Sequence, residues 1–418
     1  MDLLTATASA GLAVASASHL ASIALAMRRT ARGRRRPGAR PPAGISILRP
    51  VRGLEYRVEE TLASSFQIDH PSYEVIFCVA AADDPVVPII RRLIREHPDV
   101  PARLLAGDEV GGPNPKLNTL MKAWDVARHD WIVLADSNVL IPPDYLDRLF
   151  ARWTERCAFV CSPPVGIDVQ GCAAELEAAF LNTFQARWQL AVDELGFGFV
   201  QGKTLLLRRS ELAREGGLAA LAREVAEDAA ATKIARLRGR EVRAADEPFP
   251  QPLGRRSLAG VWQRQLRWAR LRRLSFPGFF CAELPAGGAF PFLLAWWLAT
   301  AGVLPWTGVA GMMVAWYGAE ALLASAFGWP LRARSPLFWI ARDLLLPVLW
   351  VHAWAATGYE WRGNPVDLRP SARTPCAPAS SAPPPLAAGM RVGAADNGTG
   401  SRRVNHNAPN SRAASLRS

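Results

Sequence analysis

Three aspartates, Asp84, Asp136 and Asp228, stand where a carboxylate can do chemistry. Asp84 lies in Ala81-Ala82-Asp83-Asp84-Pro85, directly after the apolar run Tyr73 to Val79. At the carboxyl end of a strand such a group can accept from a ribose or from the edge of a uracil. The same Asp-Asp-Pro string is good turn chemistry, which on its own is its commoner use. Asp136 ends a second apolar run, in Leu134-Ala135-Asp136-Ser137-Asn138. One carboxylate with an amide oxygen two residues on can reach Mg2+ or Mn2+, whose other ligands come from phosphate and water. A strand-end turn explains that string equally well. Glu227-Asp228 opens an amphipathic stretch, where acids offset the helix dipole. As chemistry, a carboxylate there would take a proton from an acceptor hydroxyl.

Cations suited to phosphate accompany these acids. In Asn114-Pro115-Lys116-Leu117-Asn118, Asn114 caps a helix and Pro115 takes its first position. Capping does not account for Lys116 or Asn118, which can meet a phosphate or a sugar. Further on stands Arg264-Gln265-Leu266-Arg267-Trp268, just before a long apolar stretch. Arg264 and Arg267 are three apart and share one face of a helix. Guanidinium forks on such a face are suited to a diphosphate. Basic residues beside a membrane segment are commonplace, so this string draws its weight from the acids upstream.

Groups spread over so much sequence need a sheet to bring them together. Ile45 to Leu48, Tyr73 to Val79, Arg103 to Leu105 and Trp131 to Ala135 read as strands. Val58 to Phe66, Pro88 to Glu96 and Lys116 to Ala127 read as the helices between them. This alternation predicts an α/β domain with a mostly parallel sheet and crossover helices. Asp84 and Asp136 then both lie at carboxyl ends of strands, where such sheets bind ligands. Residues 157–250 are less regular, with a strand at Phe159 to Cys161 and helices around 172–192 and Val225 to Arg238.

The chain has 418 residues, half of them hydrophobic, and a formal charge of +12. Arginines crowd residues 28–40, after one apolar run, and 255–273, before another. That placement favours an anionic membrane surface over nucleic acid, for which no zinc-finger, helix-turn-helix or RNA-recognition pattern is present. Residues 1–27 read as a signal-anchor helix. The arginines come after its apolar run, so the positive-inside rule puts residues 28 onward in the cytoplasm. A basic linker occupies 28–43 and a cytoplasmic catalytic domain 44–283. Residues 284–358 hold membrane segments: a hairpin turning near Pro305, then a last segment carrying Arg342 and Asp343, re-entrant or packed inside the bundle. The Pro-, Ala- and Ser-rich residues 371–418 read as a disordered tail. The six cysteines form no CxxC motif and read as reduced thiols.

Taken in order, Leu48-Arg49-Pro50, Asp83-Asp84-Pro85, Asn114-Pro115-Lys116-Leu117-Asn118, Asp136-Ser137, Ala226-Glu227-Asp228 and Arg264-Gln265-Leu266-Arg267-Trp268 resemble the ceramide glucosyltransferases, glycosyltransferase family 21. The related hopanoid-associated glycosyltransferases share much of this pattern. The resemblance covers about residues 45–275 and the membrane layout at both ends. It implies a GT-A fold, with N- and C-terminal transmembrane helices, and inverting chemistry on a UDP-sugar. It associates Asp84 with the nucleotide, Asp136 with metal and diphosphate, and Asp228 with the base. Arg264, Arg267 and Trp268 match the box near diphosphate and acceptor. Two departures stand out: Asp136-Ser137-Asn138 lacks a second acid, and Gln185-Ala186-Arg187 stands where animal members carry a histidine before a Pro-Arg pair.

The expectation is a multi-pass membrane enzyme, in a bacterial inner membrane, that moves a hexose, glucose first, onto a ceramide-like lipid. Donor-site residues would be Asp84, Lys116, Asn118, Asp136, Arg264, Arg267 and Trp268, with Asp136 on a divalent cation. A hopanoid or diacylglycerol acceptor is the nearest alternative. A processive polysaccharide synthase needs a channel of many spans, and a non-catalytic scaffold would have no use for the acidic set.

Overall fold

The computed structural model describes residues 2–33, 44–108 and 113–355, and the backbone of two short strands, Gly358–Trp361 and Asn364–Asp367. The expected tail and most of the expected linker lie outside the described residues.

Nine strands organise the part that concerns function: β1 (Ile45–Val51), β2 (Tyr73–Val79), β3 (Ala102–Ala106), β4 (Trp131–Ala135), β5 (Cys157–Cys161), β6 (Val165–Gln170), β7 (Thr204–Arg208), β8 (Glu241–Ala244) and β9 (Pro250–Arg255). Seven of them form one sheet in the order β3-β2-β1-β4-β7-β5-β8. The first four are parallel, with Leu48 of β1 beside Ile76 of β2 and Leu134 of β4. All of β2 is buried, as expected where helices cover both faces. Ile47, Val75, Phe77 and Val133 fill the core on one face. Leu48, Ile76, Cys78 and Leu134 fill it on the other, in keeping with the two-residue period of a strand. The fold read from the sequence, an α/β domain with a mostly parallel sheet between apolar helices, is the fold observed.

The sequence reading did not anticipate β7, which enters antiparallel between β4 and β5, with Ala135 opposite Thr204. Nor did it anticipate the small parallel pair of β6 and β9. The helical region 172–192 is broken by a π-helical turn at Leu181–Ala186. Such a turn shifts the side chains after it to a new face.

Three helices, Leu3–Gly33, Trp306–Ala326 and Ser335–Trp354, are long and apolar enough to cross a membrane. The hairpin expected over 284–328 does turn at Pro305, but its first limb is only Ala289–Thr300. At 1.5 Å per residue that limb reaches about 18 Å, short of a bilayer core of about 30 Å. The last segment is one 20-residue helix in which Arg342 and Asp343 are both buried.

The first helix also departs from a simple tether. It continues past residue 27 to Gly33, and Arg29 near its end is fully buried. Arg29 pairs with Asp193, reaches Asp246 at 3.2 Å and donates to the Ala244 carbonyl at 2.6 Å. On one face of the sheet the core runs without a break into Ile23, Ala26, Trp316, Tyr317 and Trp339 of the long apolar helices. The sheet and these helices therefore share one hydrophobic core.

Candidate active site

The carboxyl end of β4 delivers Asp136, and the antiparallel β7 brings Lys203 beside it. The Asp136 amide donates to the Lys203 carbonyl at 3.0 Å, one step beyond the paired Ala135 and Thr204. Lys203 Nζ lies 2.8 Å from Asp136 Oδ2. Lys116 Nζ makes an ion contact at 2.7 Å with Oδ1, but off hydrogen-bond geometry, so Oδ1 has no hydrogen-bond donor. Lys116 donates instead to the Gly202 carbonyl at 2.6 Å and to Glu227 Oε1 at 2.7 Å.

Local sequence explains how these groups are held. Asn114 caps the helix Pro115–Val126, its Oδ1 accepting from the Leu117 amide at 3.2 Å. Its amide nitrogen donates to Glu227 Oε2 at 2.8 Å and to the Val225 carbonyl at 3.0 Å. The expected cap is therefore present and also orients Glu227. Asn118 is half-buried one turn into that helix. Arg49, buried under the turn after β4, donates to the carbonyls of Asp136, Ser137 and Val139 at 2.9, 3.1 and 2.9 Å.

Electrostatics separate the two acids. Burial by itself would raise Asp136, but Lys116 and Lys203 outweigh it and hold the carboxyl well below its ordinary range. Lys116 is held charged: burial opposes it, and Asp136 and Glu227 override the burial. Asp228 goes the other way. Burial, reinforced by the neighbouring Glu227 carboxylate, pushes it up to about 7. Lys116 acts on both charges, so one carboxylate stays ionised while another within reach of the same lysine is poised near neutrality.

Gly202 closes this cluster. A Cβ there would lie 2.5 Å from Glu227 Oε1 and 3.7 Å from Lys116 Nζ. Glu227 is fixed by Asn114 and Lys116 and cannot yield cheaply. Gly202→Ala is expected to cut turnover by up to about 10²-fold through misplacement of the acids. Its unfolding temperature should fall as well, so turnover is compared well below the melting range of the variant; a variant equally active would show that the cluster tolerates the shift.

Asp84 stands at the carboxyl end of β2, separated from β4 only by β1. Its two oxygens accept from the Gly53 amide at 3.0 and 2.9 Å, and Oδ1 also from the Val86 amide at 3.0 Å. The turn reading is thus present, and it ties the loop after β1 to the loop after β2.

The box Arg264-Gln265-Leu266-Arg267-Trp268 lies on the helix Leu258–Ser275, started by Ser257 Oγ accepting from the Gly260 amide at 3.1 Å. Arg264 pairs with the fully buried Glu177, which also meets Arg256 at 3.2 Å. Gln265 accepts from Gln185, within the π-helical turn, at 2.9 Å. Arg267 is half-buried one turn beyond Arg264. Trp268 packs on Val169, Ala174, Ala178, Leu181 and Leu253. The same helix meets the last membrane helix through Leu266, Ala269, Leu346 and Leu349. At the strand end, Ser137 Oγ donates to Glu55 at 3.3 Å.

Lys203, Glu177 and Arg256 were missed by sequence reasoning. Glu177 did leave a signal, as one of two acids inside the otherwise apolar string Ala173-Ala174-Glu175-Leu176-Glu177-Ala178-Ala179-Phe180. Lys203 left none beyond its place between a glycine and an apolar run.

The turn after β4 also suits a divalent cation. Asp136 Oδ1 and Asn138 Oδ1 are both buried oxygens without a hydrogen-bond donor. No group of three or more His, Cys, Asp or Glu gathers among the described residues. A cation held here would take its remaining ligands from phosphate and water, as Mg2+ commonly does.

The chain is similar to several known proteins. The chain is 29% identical over 242 residues to ceramide glucosyltransferase 1 of Caenorhabditis elegans, covering 57% of this chain and 52% of that protein. It is 26% identical over 332 residues to ceramide glucosyltransferase 3 of the same organism, covering 77% and 72%. Against the ceramide glucosyltransferase of Komagataella phaffii the identity is 32% over 192 residues, 40% of this chain and 38% of that one. The chain thus spans about half the length of the first of these relatives. Among solved structures, the mannosyltransferase PcManGT from Pyrobaculum calidifontis, in complex with GDP-Man and Mn2+, is similar at 18% identity and a TM-score of 0.42, over 83% of this chain and 98% of that one. The pattern of one family, glycosyl transferase family 21, matches residues 12–374, from the first apolar helix through the last. With acids, cations and box in that order along the chain and the family pattern spanning most of it, the chain belongs to glycosyl transferase family 21.

Proposed function

We propose that this protein is an inverting glycosyltransferase that moves a hexose, glucose first, from a UDP-sugar to the primary hydroxyl of a ceramide-like membrane lipid. The observation that carries this reading is the pairing of a poised Asp228 with an ionised, lysine-flanked Asp136. Asp228 takes the proton of the acceptor hydroxyl as its oxygen attacks the anomeric carbon from the face opposite the diphosphate. The bond between that carbon and the diphosphate oxygen breaks, and UDP leaves with the electron pair. Asp136 and Asn138 would hold a divalent cation, which when bound supplies positive charge to the leaving diphosphate. Lys116 keeps Glu227 and Asp136 in place. Asp84, Asn118, Arg264, Arg267 and Trp268 complete the donor site.

The acceptor enters from the bilayer, because the box helix packs on the last membrane helix. The catalytic face lies on the cytoplasmic side of a bacterial inner membrane, where the basic loop of Arg332 and Arg334, tied to Glu175 of the same domain, also lies. Mass spectrometry of total lipids, from cells with and without this gene expressed, tests the reading. A new hexosyl-ceramide supports it. A glycosylated hopanoid or diacylglycerol moves the acceptor, and an unchanged lipid profile in cells that contain all three acceptors overturns it.

A further inference from the structure

Two lysines approach Asp136, and their surroundings differ in a way that decides their roles. The Lys116 ammonium has two hydrogen-bond acceptors and a third, anionic neighbour. It meets the Gly202 carbonyl at 2.6 Å, Glu227 Oε1 at 2.7 Å and Asp136 Oδ1 at 2.7 Å. With two of its three N–H bonds taken and its charge set between two carboxylates, Lys116 is held by the protein itself. Lys203 is left more open. Among the described residues its ammonium meets Asp136 Oδ2 alone, at 2.8 Å, and its side chain stays 21% exposed. Two of its N–H bonds therefore remain for a ligand.

The backbone gives Lys203 little freedom to stand elsewhere. Its carbonyl accepts from the Asp136 amide, and the next residue, Thr204, is paired with Ala135 and accepts at Oγ1 from the Tyr145 hydroxyl at 3.2 Å. On its other side, Gly202 bridges to Ser162. Lys203 is thus set on a rigid strand start at the carboxyl end of β4.

We propose that Lys203 is a binding residue for the diphosphate of the donor, and that Lys116 is a positioning residue for the acids. This rests on the UDP-sugar reading above. A compact ammonium on a short rigid approach is suited to phosphate as a point charge. The pair with Asp136 keeps Lys203 extended toward the crevice before a ligand arrives, which lowers the entropy lost on binding.

Calorimetric titration of the full chain in detergent, with UDP and with uridine, each in magnesium and in chelator, tests this. Lys203→Met is expected to weaken UDP by about tenfold, the loss of one charge-assisted contact, and to leave uridine unchanged. Lys203→Arg should recover most of the UDP affinity, and Lys203→Gln is titrated in parallel should the Met variant not fold. A UDP affinity equal to the native one in the folded variants overturns the proposal. So does an equal loss for UDP and uridine, which would make Lys203 structural. A native chain that binds uridine and UDP alike, or neither, instead overturns the nucleotide-sugar reading on which the proposal rests.

Discussion

Asp228→Asn is expected to lower kcat by about 10²–10⁴-fold, the usual contribution of a positioned base, while the donor nucleotide binds nearly as well as before. The amide keeps the shape of the side chain and the acceptor for the Ala229 amide, 2.8 Å away, but cannot take a proton near neutrality. Single-turnover rates and UDP titration on the same preparation separate the two effects; equal loss of both would sink the assignment. The native enzyme should show its own signature. With Asp228 pushed up to about 7, kcat should rise with pH through about 7 and then level off.

Stability should move in the opposite direction. The folded state holds the Asp228 proton from the ordinary 3.8 up to about 7, whereas the unfolded chain has already released it. The stabilising effect of that proton is complete below the unfolded value and is lost as pH rises through the folded one. Asp228→Asn, which never ionises, should therefore melt progressively higher than the native protein between those two values, with the gap constant above them. Thermal unfolding at a series of pH values checks this. A base that destabilises the fold in its working state is the exchange of stability for activity expected at a functional site.

Arg342→Met is expected to be strongly destabilising, by about 3–5 kcal/mol, because it leaves buried acids without their partner. Arg342 meets both oxygens of Glu320 at 3.0 and 2.9 Å, Asp343 at 2.9 Å and the Thr183 hydroxyl at 2.7 Å. Arg187 lies 3.5 Å from the same Glu320 and donates to His19 Nδ1 at 2.6 Å. Since Arg187 can only donate, His19 Nδ1 accepts, and its Nε2–H donates to the Trp316 carbonyl at 3.1 Å. This network joins the first helix, the helical region after β6 and both C-terminal spans. Removing one charge strands the others, whereas Glu320→Leu with Arg342→Met leaves Arg187 and Asp343 in balance. The double variant should unfold at a higher temperature in detergent than the Arg342→Met variant. If the two losses simply add, the residues are not coupled.

How much of this was legible beforehand depends on the range of the interactions involved. β2 and β4 were readable to the residue, because a strand covered on both faces is a short unbroken apolar run. The start of the helix at Pro115 was readable because Asn114 and Pro115 are local signals with local partners. The order of the acids and of the box was sufficient to mark the family. β7 was not readable: Thr204-Leu205-Leu206-Leu207-Arg208 has the composition of a buried strand, but nothing in it names β4 as its neighbour or antiparallel as its direction.

The same division runs through the candidate site. The sequence by itself determined which groups were available, the acids at strand ends, the capped lysine and the paired arginines on one helix. Residue type, strand period and helix period are properties of a few consecutive residues, so they survive without the fold. Only the tertiary structure decided which charge each group would meet. It enclosed Lys116 and left Lys203 open, gave Arg264 to Glu177, buried Arg29 beside the distant Asp193, and set Arg342 between Glu320 and Asp343. A charge acquires its pKa, and its chemistry, from neighbours within a few ångströms, and those neighbours are set by sheet order and helix packing across hundreds of residues.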